Sequence, residues 1–211
     1  MTNTGKWNTI YDARPYNWPY GPQISYLLAL DFLSNCHPIQ DWGCGANWFK
    51  TLAADKYPDL KITGVDGSGK QCDLLADLVT FQPEAKPEGI LLRHVLEHNN
   101  EWELIFRNAL SCTTKKLMLI LFTPFSETVT KAEPDYIFDN GDTCPNLSFP
   151  QQTLLQIMRE YGFEAAVQTI KSKDLPHNLE NLFYATKMAP LIEDHSYYAR
   201  KIDLQRSQQN D

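Results

Sequence analysis

The stretch Ile39-Gln40-Asp41-Trp42-Gly43-Cys44-Gly45-Ala46-Asn47-Trp48-Phe49 limits most what this chain can fold into. Pro38 and Ile39 start a short apolar strand, Gly43 and Gly45 break it, and Ala46 to Lys56 has a helical composition that Pro58 ends. A side chain at either glycine would hold a ligand away from the backbone, and a turn this sharp can require a positive φ. The N–H groups of the turn and the helix N-terminus are therefore expected to face whatever lies over the strand end. A second strand, Lys61 to Val65, ends in Asp66, about 20 residues further on, where a carboxylate can accept hydrogen bonds from both hydroxyls of a ribose. The dinucleotide fingerprint G-x-G-x-x-G is not met, because Trp48 stands at its third glycine. No Gly-Lys-Ser/Thr is present for a phosphate loop.

Ahead of this stretch, Trp7, Tyr11, Tyr16, Trp18 and Tyr20 crowd a segment with several prolines that ends in Gly21-Pro22. It is too interrupted for a helix and too apolar for a free tail, so it is expected to pack on the domain as a cap. Pro22 to Ser34 reads as a helix with Ile24, Leu27 and Leu28 on its core face. After the second strand come a short Asp73–Asp77 segment, a polar loop from Gln82 to Pro87, and the buried strand Gly89 to Leu92. Asn99 or Asn100 is expected to cap a helix whose Trp102, Ile105, Phe106 and Ala109 make an apolar stripe. Lys116 to Phe122 reads as a central strand ending at Thr123-Pro124. From Phe125 to Phe149 the composition turns loop-like, and the segment is assigned to substrate recognition. Ser148 and Pro150 start a helix that Gly162 ends, with Leu154, Ile157, Met158 and Tyr161 inward. Phe163 to Ile170 and Asn181 to Met188 read as an antiparallel pair at the sheet edge, and Gln205 to Asp211 as a frayed end. Strands alternating with helices predict a parallel sheet.

The formal charge of −7, without a cluster of Lys and Arg, weighs against a protein that grips long nucleic acid through its phosphates. Cys36, Cys44, Cys72, Cys112 and Cys144 lack paired metal spacing and suit reduced thiols. The polar start Met1 to Lys6 is unlike a signal peptide and no apolar run approaches a membrane span, so a cytoplasmic location is expected, without a membrane partner.

Asp41-x-Gly43-x-Gly45, followed by Gly64-Val65-Asp66-Gly67-Ser68, resembles the class I S-adenosylmethionine (SAM) methyltransferases, particularly the type 11 group. Asp73-Leu74-Leu75-Ala76-Asp77-Leu78 looks like the family's adenine-contacting acidic segment, and Leu92-Arg93-His94-Val95-Leu96-Glu97-His98 like its stretch after strand four. The resemblance covers roughly residues 38 to 125 and implies a single-domain α/β, Rossmann-like methyltransferase fold. That fold has a mostly parallel seven-stranded sheet with an antiparallel edge strand and helices on both faces. Residues 1–37 would form the arm and cap helix, 38–188 the catalytic core and 189–211 the tail. One departure is visible: Gly67 to Gln71 leaves room for a turn where the family has a full helix between strands two and three.

Ligands of open α/β sheets bind at the carboxyl ends of the strands. The resemblance then implies a SAM site made of Asp41, Gly43, Cys44, Gly45, Asp66, Gly67, Ser68, Asp77, Leu78 and Arg93. Asp66 would take the ribose hydroxyls and Asp77 the adenine amino group, with Asp73 competing for that role. Arg14 would meet the methionyl carboxylate, with Trp18 or Tyr20 walling the sulfonium. An oxygen acceptor of high pKa needs a base, and His94 is the candidate by position and intrinsic pKa. Glu97 and His98 resemble the pair with which some O-methyltransferases hold a divalent metal, but most type 11 members carry it without one, and no metal is assigned. The expected reaction is methylation of a small polar acceptor at oxygen, such as a sugar or other hydroxylated metabolite. RNA-end or protein methylation, and a scaffold that binds SAM without turnover, stand as alternatives.

Overall fold

The computed structural model describes residues 24–68, 71–137, 143–171 and 178–189. The aromatic N-terminal segment, with Arg14, Trp18 and Tyr20, and the tail beyond 189 lie outside the described residues. Helix α1 (Ile24–Leu33) leads into strand β1 (Ile39–Trp42), helix α2 (Trp48–Lys56), strand β2 (Ile62–Asp66) and the two-residue strand β3 (Leu74–Leu75). Strand β4 (Gly89–Arg93), a 3-10 turn (Leu96–His98), helix α3 (Trp102–Cys112) and strand β5 (Lys116–Leu121) follow. Then come strands β6 (Thr130–Ile137) and β7 (Thr143–Ser148), helix α4 (Gln151–Glu160) and strands β8 (Phe163–Lys171) and β9 (Leu179–Lys187).

Seven strands form one sheet in the order β3-β2-β1-β4-β5-β9-β8. The first five are parallel, and β9 runs antiparallel to both of its neighbours. This is the mostly parallel sheet that the alternation of elements predicts. Chain order reverses beside β1, so the crevice at the carboxyl ends of β1 and β4 is the expected ligand position. The register brings Trp42 opposite both Val65 and Leu92, which sets those strand ends level.

The pleat sorts the core into two layers. Ile90 and Leu92 of β4, with Leu117, Leu119 and Leu121 of β5, face Ile105, Phe106 and Ala109 of α3 and Leu154, Ile157 and Met158 of α4. Leu91, Met118 and Ile120 point the other way, onto α1 and α2. Burial on both faces explains why these strands read as unbroken apolar runs. Trp42 is fully buried, and its indole N–H donates to Gln40 Oε1 at 2.9 Å, so the core holds the ring without leaving a polar atom orphaned.

Three local expectations are corrected. In α1 the core face is Ala29, Leu30 and Leu33, with Ser25; of the expected residues Leu28 packs against this core half-buried, while Ile24 is 50% exposed. Neither Asn99 nor Asn100 caps α3: the Asn99 amide donates to Val95 O at 2.5 Å, turned back by the 3-10 turn before it, and Glu101 takes the cap position without a side-chain bond. Finally, 125–149 contains an antiparallel hairpin, β6 with β7. Register shifts around Glu133 let a strand containing Pro134 pair at all. The hairpin docks on the ends of β4 and β5, where Thr123 Oγ1 donates to Leu147 O at 2.7 Å and Cys144 Sγ to His98 O at 3.7 Å. Among the described residues, no helix is long and apolar enough to cross a membrane.

Candidate active site at the strand ends

The glycine turn is locked onto β2. Gly43 has φ +80°, Gly45 φ +52° and Asn47 φ +58°, three left-handed positions that fold the chain back within five residues. Gly43 N–H and Cys44 N–H both donate to Val65 O, at 2.7 and 3.3 Å, because the parallel ladder continues past the strand end. Gly45 N–H donates to Asp66 Oδ2 at 2.8 Å. The turn amides that were expected to face a ligand are thus occupied by β2, and Asp66 becomes the group they present.

A Cβ on Gly43 would run into Val95 Cγ2, so backbone and Val95 side chain touch where β1 meets the segment after β4. Gly64 is needed for a similar reason, since the Asn47 and Cys44 side chains occupy the space of its Cβ. Gly43→Ala combines that collision with a left-handed φ, which costs a residue with a Cβ roughly 1–2 kcal/mol on its own. We expect a loss of about 2–4 kcal/mol in stability, seen as a lower urea midpoint. Gly43→Ala/Val95→Ala should remove the collision and leave the φ cost; equal midpoints for Gly43→Ala and the parent would refute this.

Asp66 is 5% exposed and accepts Ser68 N–H at Oδ1, 2.7 Å, beside Gly45 N–H at Oδ2. Burial raises its pKa, and the two backbone bonds pull it back. Each oxygen retains a lone pair, so the carboxylate can still accept from two hydroxyls. Gly67 lies between the two held residues, and the Ser68 hydroxyl is buried without a hydrogen-bond partner. Asp41, 3% exposed, sits on the α1 face of the sheet; burial first, and then nearby Asp66, push its carboxyl up to about 8 against the pull of Arg93. Cys44 is buried among acids and its thiol is pushed up too, so it lines the turn as a neutral group.

Asp73 and Asp77, which the sequence left competing, have different surroundings. Asp73 is engaged by Lys50 Nζ at 2.6 Å and by Gly64 N–H at 2.7 Å, a tie between α2 and β2. Asp77 follows Ala76, whose N–H donates to Asp66 O at 2.9 Å, so the chain brings Asp77 to the Asp66 end of the sheet. Its Oδ1 accepts Val79 N–H at 3.0 Å, and Leu78 beside it is buried, its carbonyl taking the Asn108 amide at 2.9 Å.

Beyond β4 the side chains form a second group. His94 has φ +55° and its N–H donates to Ile120 O at 3.0 Å. Its Nε2 lies 2.8 Å from Glu180 Oε1, and Phe122 meets the ring edge-on at 5.0 Å. The same Glu180 oxygen takes Arg93 Nη2 at 2.7 Å, while Arg93 also reaches Ser25 and Tyr26 of α1 and stacks 4.4 Å over the Tyr26 ring. Arg93 therefore lies under α1 as part of an ion network. Glu180, Ser25 and Tyr26 were missed in the sequence: no motif marks them, and the pairing that joins β9 to β5 spans too many residues for local patterns to reveal. Glu97 is fully buried, accepts Phe122 N–H at Oε1, 2.7 Å, and is pushed up to about 8 by burial. His98 Nδ1 lies 3.1 Å from Pro145 O on the hairpin. Among the described residues, no group of three His, Cys, Asp or Glu side chains could hold a metal.

A mostly parallel sheet that carries a glycine turn on β1 and a buried acid at the end of β2 is the arrangement in which open α/β folds receive a nucleoside. The methyltransferase domain family matches residues 29–168, and the chain belongs to that family. Among solved structures, the chain is similar to 1,6-didemethyltoxoflavin-N1-methyltransferase of Burkholderia thailandensis, crystallised with its substrate and S-adenosylhomocysteine (SAH) (TM-score 0.64, 12% identity, 88% of this chain and 87% of that one). It is also similar to magnesium protoporphyrin IX methyltransferase of Synechocystis PCC 6803 with bound SAM (TM-score 0.61, 11% identity, 89% and 98%). A third is the sugar N-methyltransferase of Streptoalloteichus sp ATCC 53650 (TM-score 0.55, 12% identity, 87% and 93%). At such identities the likeness is one of fold, that of class I SAM-dependent methyltransferases. No curated protein sequence matches the chain.

Proposed function

We propose that this chain uses SAM to methylate a hydroxyl oxygen of a small polar acceptor, with His94 as the base. The observation that carries the reading is His94 itself, held by a buried carboxylate 2.8 Å from Nε2 at the carboxyl end of β4. Displacement at a sulfonium methyl needs alignment and exclusion of water more than it needs acid–base help. An alcohol, which keeps its proton at neutral pH, does need a base, and an imidazole oriented by an anion suits that task. The residues present fit the cofactor. Asp66 has a lone pair on each oxygen for a ribose diol, the buried Ser68 hydroxyl lacks a partner, and Asp77 reaches the same end of the sheet. SAM supplies the electrophilic methyl. Gly43, Cys44, Gly45 and Gly67 would give it a surface of backbone and small side chains, and Asp41 would face its amino group through water. Arg93 sits further under α1 and would act on this pocket through Glu180.

A small acceptor accords with the small-molecule substrates named for the similar folds, and the absence of a Lys/Arg cluster in the sequence weighs against a grip on long nucleic acid. In this reading residues 38–188 are the catalytic core of a single cytoplasmic domain, with 1–37 its arm and cap and 189–211 its tail. Two of the named neighbours methylate nitrogen, so the test carries an amine arm. The purified chain is incubated with methyl-labelled SAM and a panel of sugars, hydroxylated metabolites, amines and short RNA, beside His94→Gln. Label in a hydroxylated compound, reduced about 10²-fold or more in His94→Gln, is the expected result. Label confined to amines or RNA, or unchanged turnover in His94→Gln, overturns the oxygen and base assignments.

A further inference from the structure

We propose that Glu180 is the positioning residue for His94: its buried carboxylate, anchored by Arg93, fixes the imidazole's orientation and the nitrogen that carries its proton. The functional weight of this inference rests on the reading of His94 as base.

Glu180 Oε1 accepts Arg93 Nη2 at 2.7 Å and lies 2.8 Å from His94 Nε2, with only 1% of its side chain exposed. An isolated carboxylate so deep would take up a proton. Burial does pull the Glu180 pKa upward, but the His94 bond and the Arg93 charge outweigh it and hold the group at about 2. The other titratable groups of the cluster behave differently. Tyr26, against Arg93 from α1, is raised to about 12, and Asp41 from β1 and Glu97 from the turn after β4 are both raised to about 8. Below neutral pH, Glu180 is the standing negative charge in this group, and it faces one edge of one imidazole.

An anion fixed on Nε2 has two consequences. The neutral ring carries its proton on Nε2, which leaves the basic lone pair on Nδ1. The imidazolium formed when the ring accepts a proton is stabilised by the adjacent charge. Both require the carboxylate to stay in place, and the surroundings ensure it. Glu180 pairs with Ile170 across the β8–β9 ladder, and the next residue, Asn181, accepts from Thr169 Oγ1 at 2.7 Å and donates to Thr123 O at 2.9 Å. His94 is pinned from its own side by the bond from its N–H to Ile120 O and by Phe122 against the ring. Two rigid elements thus hold the pair, the arrangement that keeps a proton-transferring group within a few tenths of an ångström.

The competing role for Glu180 is charge balance for Arg93 alone. Glu180→Gln retains size and an acceptor for the guanidinium but removes the charge, and Glu180→Asp retains the charge. The full-length chain, labelled with ¹⁵N-histidine, is titrated by NMR, with the His94 ring assigned from its loss in His94→Gln. The parent is expected to show the Nε2–H tautomer. Glu180→Gln is expected to lower the ring's titration midpoint by at least about one pH unit and to populate the other tautomer, while Glu180→Asp keeps a midpoint nearer the parent's. An Nδ1–H tautomer in the parent overturns the proposal without any variant having to fold. So does a folded Glu180→Gln whose His94 midpoint and tautomer are unchanged. The base reading fails separately. A fully active His94→Gln removes it while the ring titration still reports on Glu180; an inactive His94→Gln beside an unmoved titration removes Glu180's role and leaves the base.

Discussion

Asp66→Ala is expected to weaken SAH binding at least 100-fold, the largest single effect on the cofactor site. The carboxylate already accepts Gly45 N–H and Ser68 N–H, so it ties the β1 turn to the end of β2, and in the proposed reading its remaining lone pairs would receive the ribose hydroxyls. Two hydrogen bonds to an ionised acceptor contribute about 1.5–3 kcal/mol each, or about 10²–10⁴ in affinity when both are lost. Alanine also strands two N–H donors in a buried place, which loosens the turn that shapes the site. Asp66→Asn separates these causes. The asparagine oxygen can replace one backbone acceptor, but its NH₂ turns a donor toward the second N–H or toward the diol, so binding should be intermediate. Calorimetric titration with SAH at pH 7.5 measures all three proteins, with circular dichroism as the folding control. A dissociation constant for Asp66→Ala within threefold of the parent's, in a folded protein, would remove Asp66 from the site and with it the main structural argument for SAM.

The place of Asp66 at the buried end of β2, bonded to the glycine turn, was legible because it follows from two local facts, an apolar strand and a following acid at the right distance from that turn. The strands β4 and β5 were legible for the same reason, since burial on both faces writes itself as a run of apolar residues. The hairpin was not. Pro134, Glu133 and Asp135 break the alternation of β6, and β7 reads Thr-Cys-Pro-Asn-Leu-Ser, so what makes these residues a ladder is their docking on Thr123 and His98. The different surroundings of Asp73 and Asp77 were not legible, because Lys50 of α2 and the Gly64 N–H of β2 reach the first only through the fold. The network around His94 was the least visible part: Arg93 and Glu180 are 87 positions apart, and only the return of β9 beside β5 makes them neighbours. Residues of one loop declare their arrangement locally, whereas the network of Arg93, His94 and Glu180 comes from strands that meet late in the chain.

Glu97→Gln should leave stability nearly unchanged at pH 4.5, raise it relative to the parent by about 2 kcal/mol at pH 6, and by a few kcal/mol more at pH 9. Glu97 is fully buried, its Oε1 accepts Phe122 N–H, and its Oε2 has no hydrogen-bond partner, so burial pushes the carboxyl up to about 8 from an ordinary 4.5. A folded-state pKa above the unfolded one means that the folded chain holds a proton the unfolded chain releases. The stabilisation this gives is complete below about pH 4.5 and is lost progressively as the pH rises toward 8. Asp41, raised to about 8 in the same way, adds to the slope. Glutamine reproduces the protonated acid, with an oxygen for Phe122 N–H and a donor on the other side, but cannot ionise. It therefore removes the Glu97 part of the pH dependence and leaves the Asp41 part. Urea unfolding at pH 4.5, 6 and 9 reads this directly, as midpoints that fall with pH more steeply in the parent than in Glu97→Gln. Parallel curves would mean that Glu97 is ionised in the fold, and a buried anion there would place a second negative charge beside Glu180 and change the electrostatics of His94.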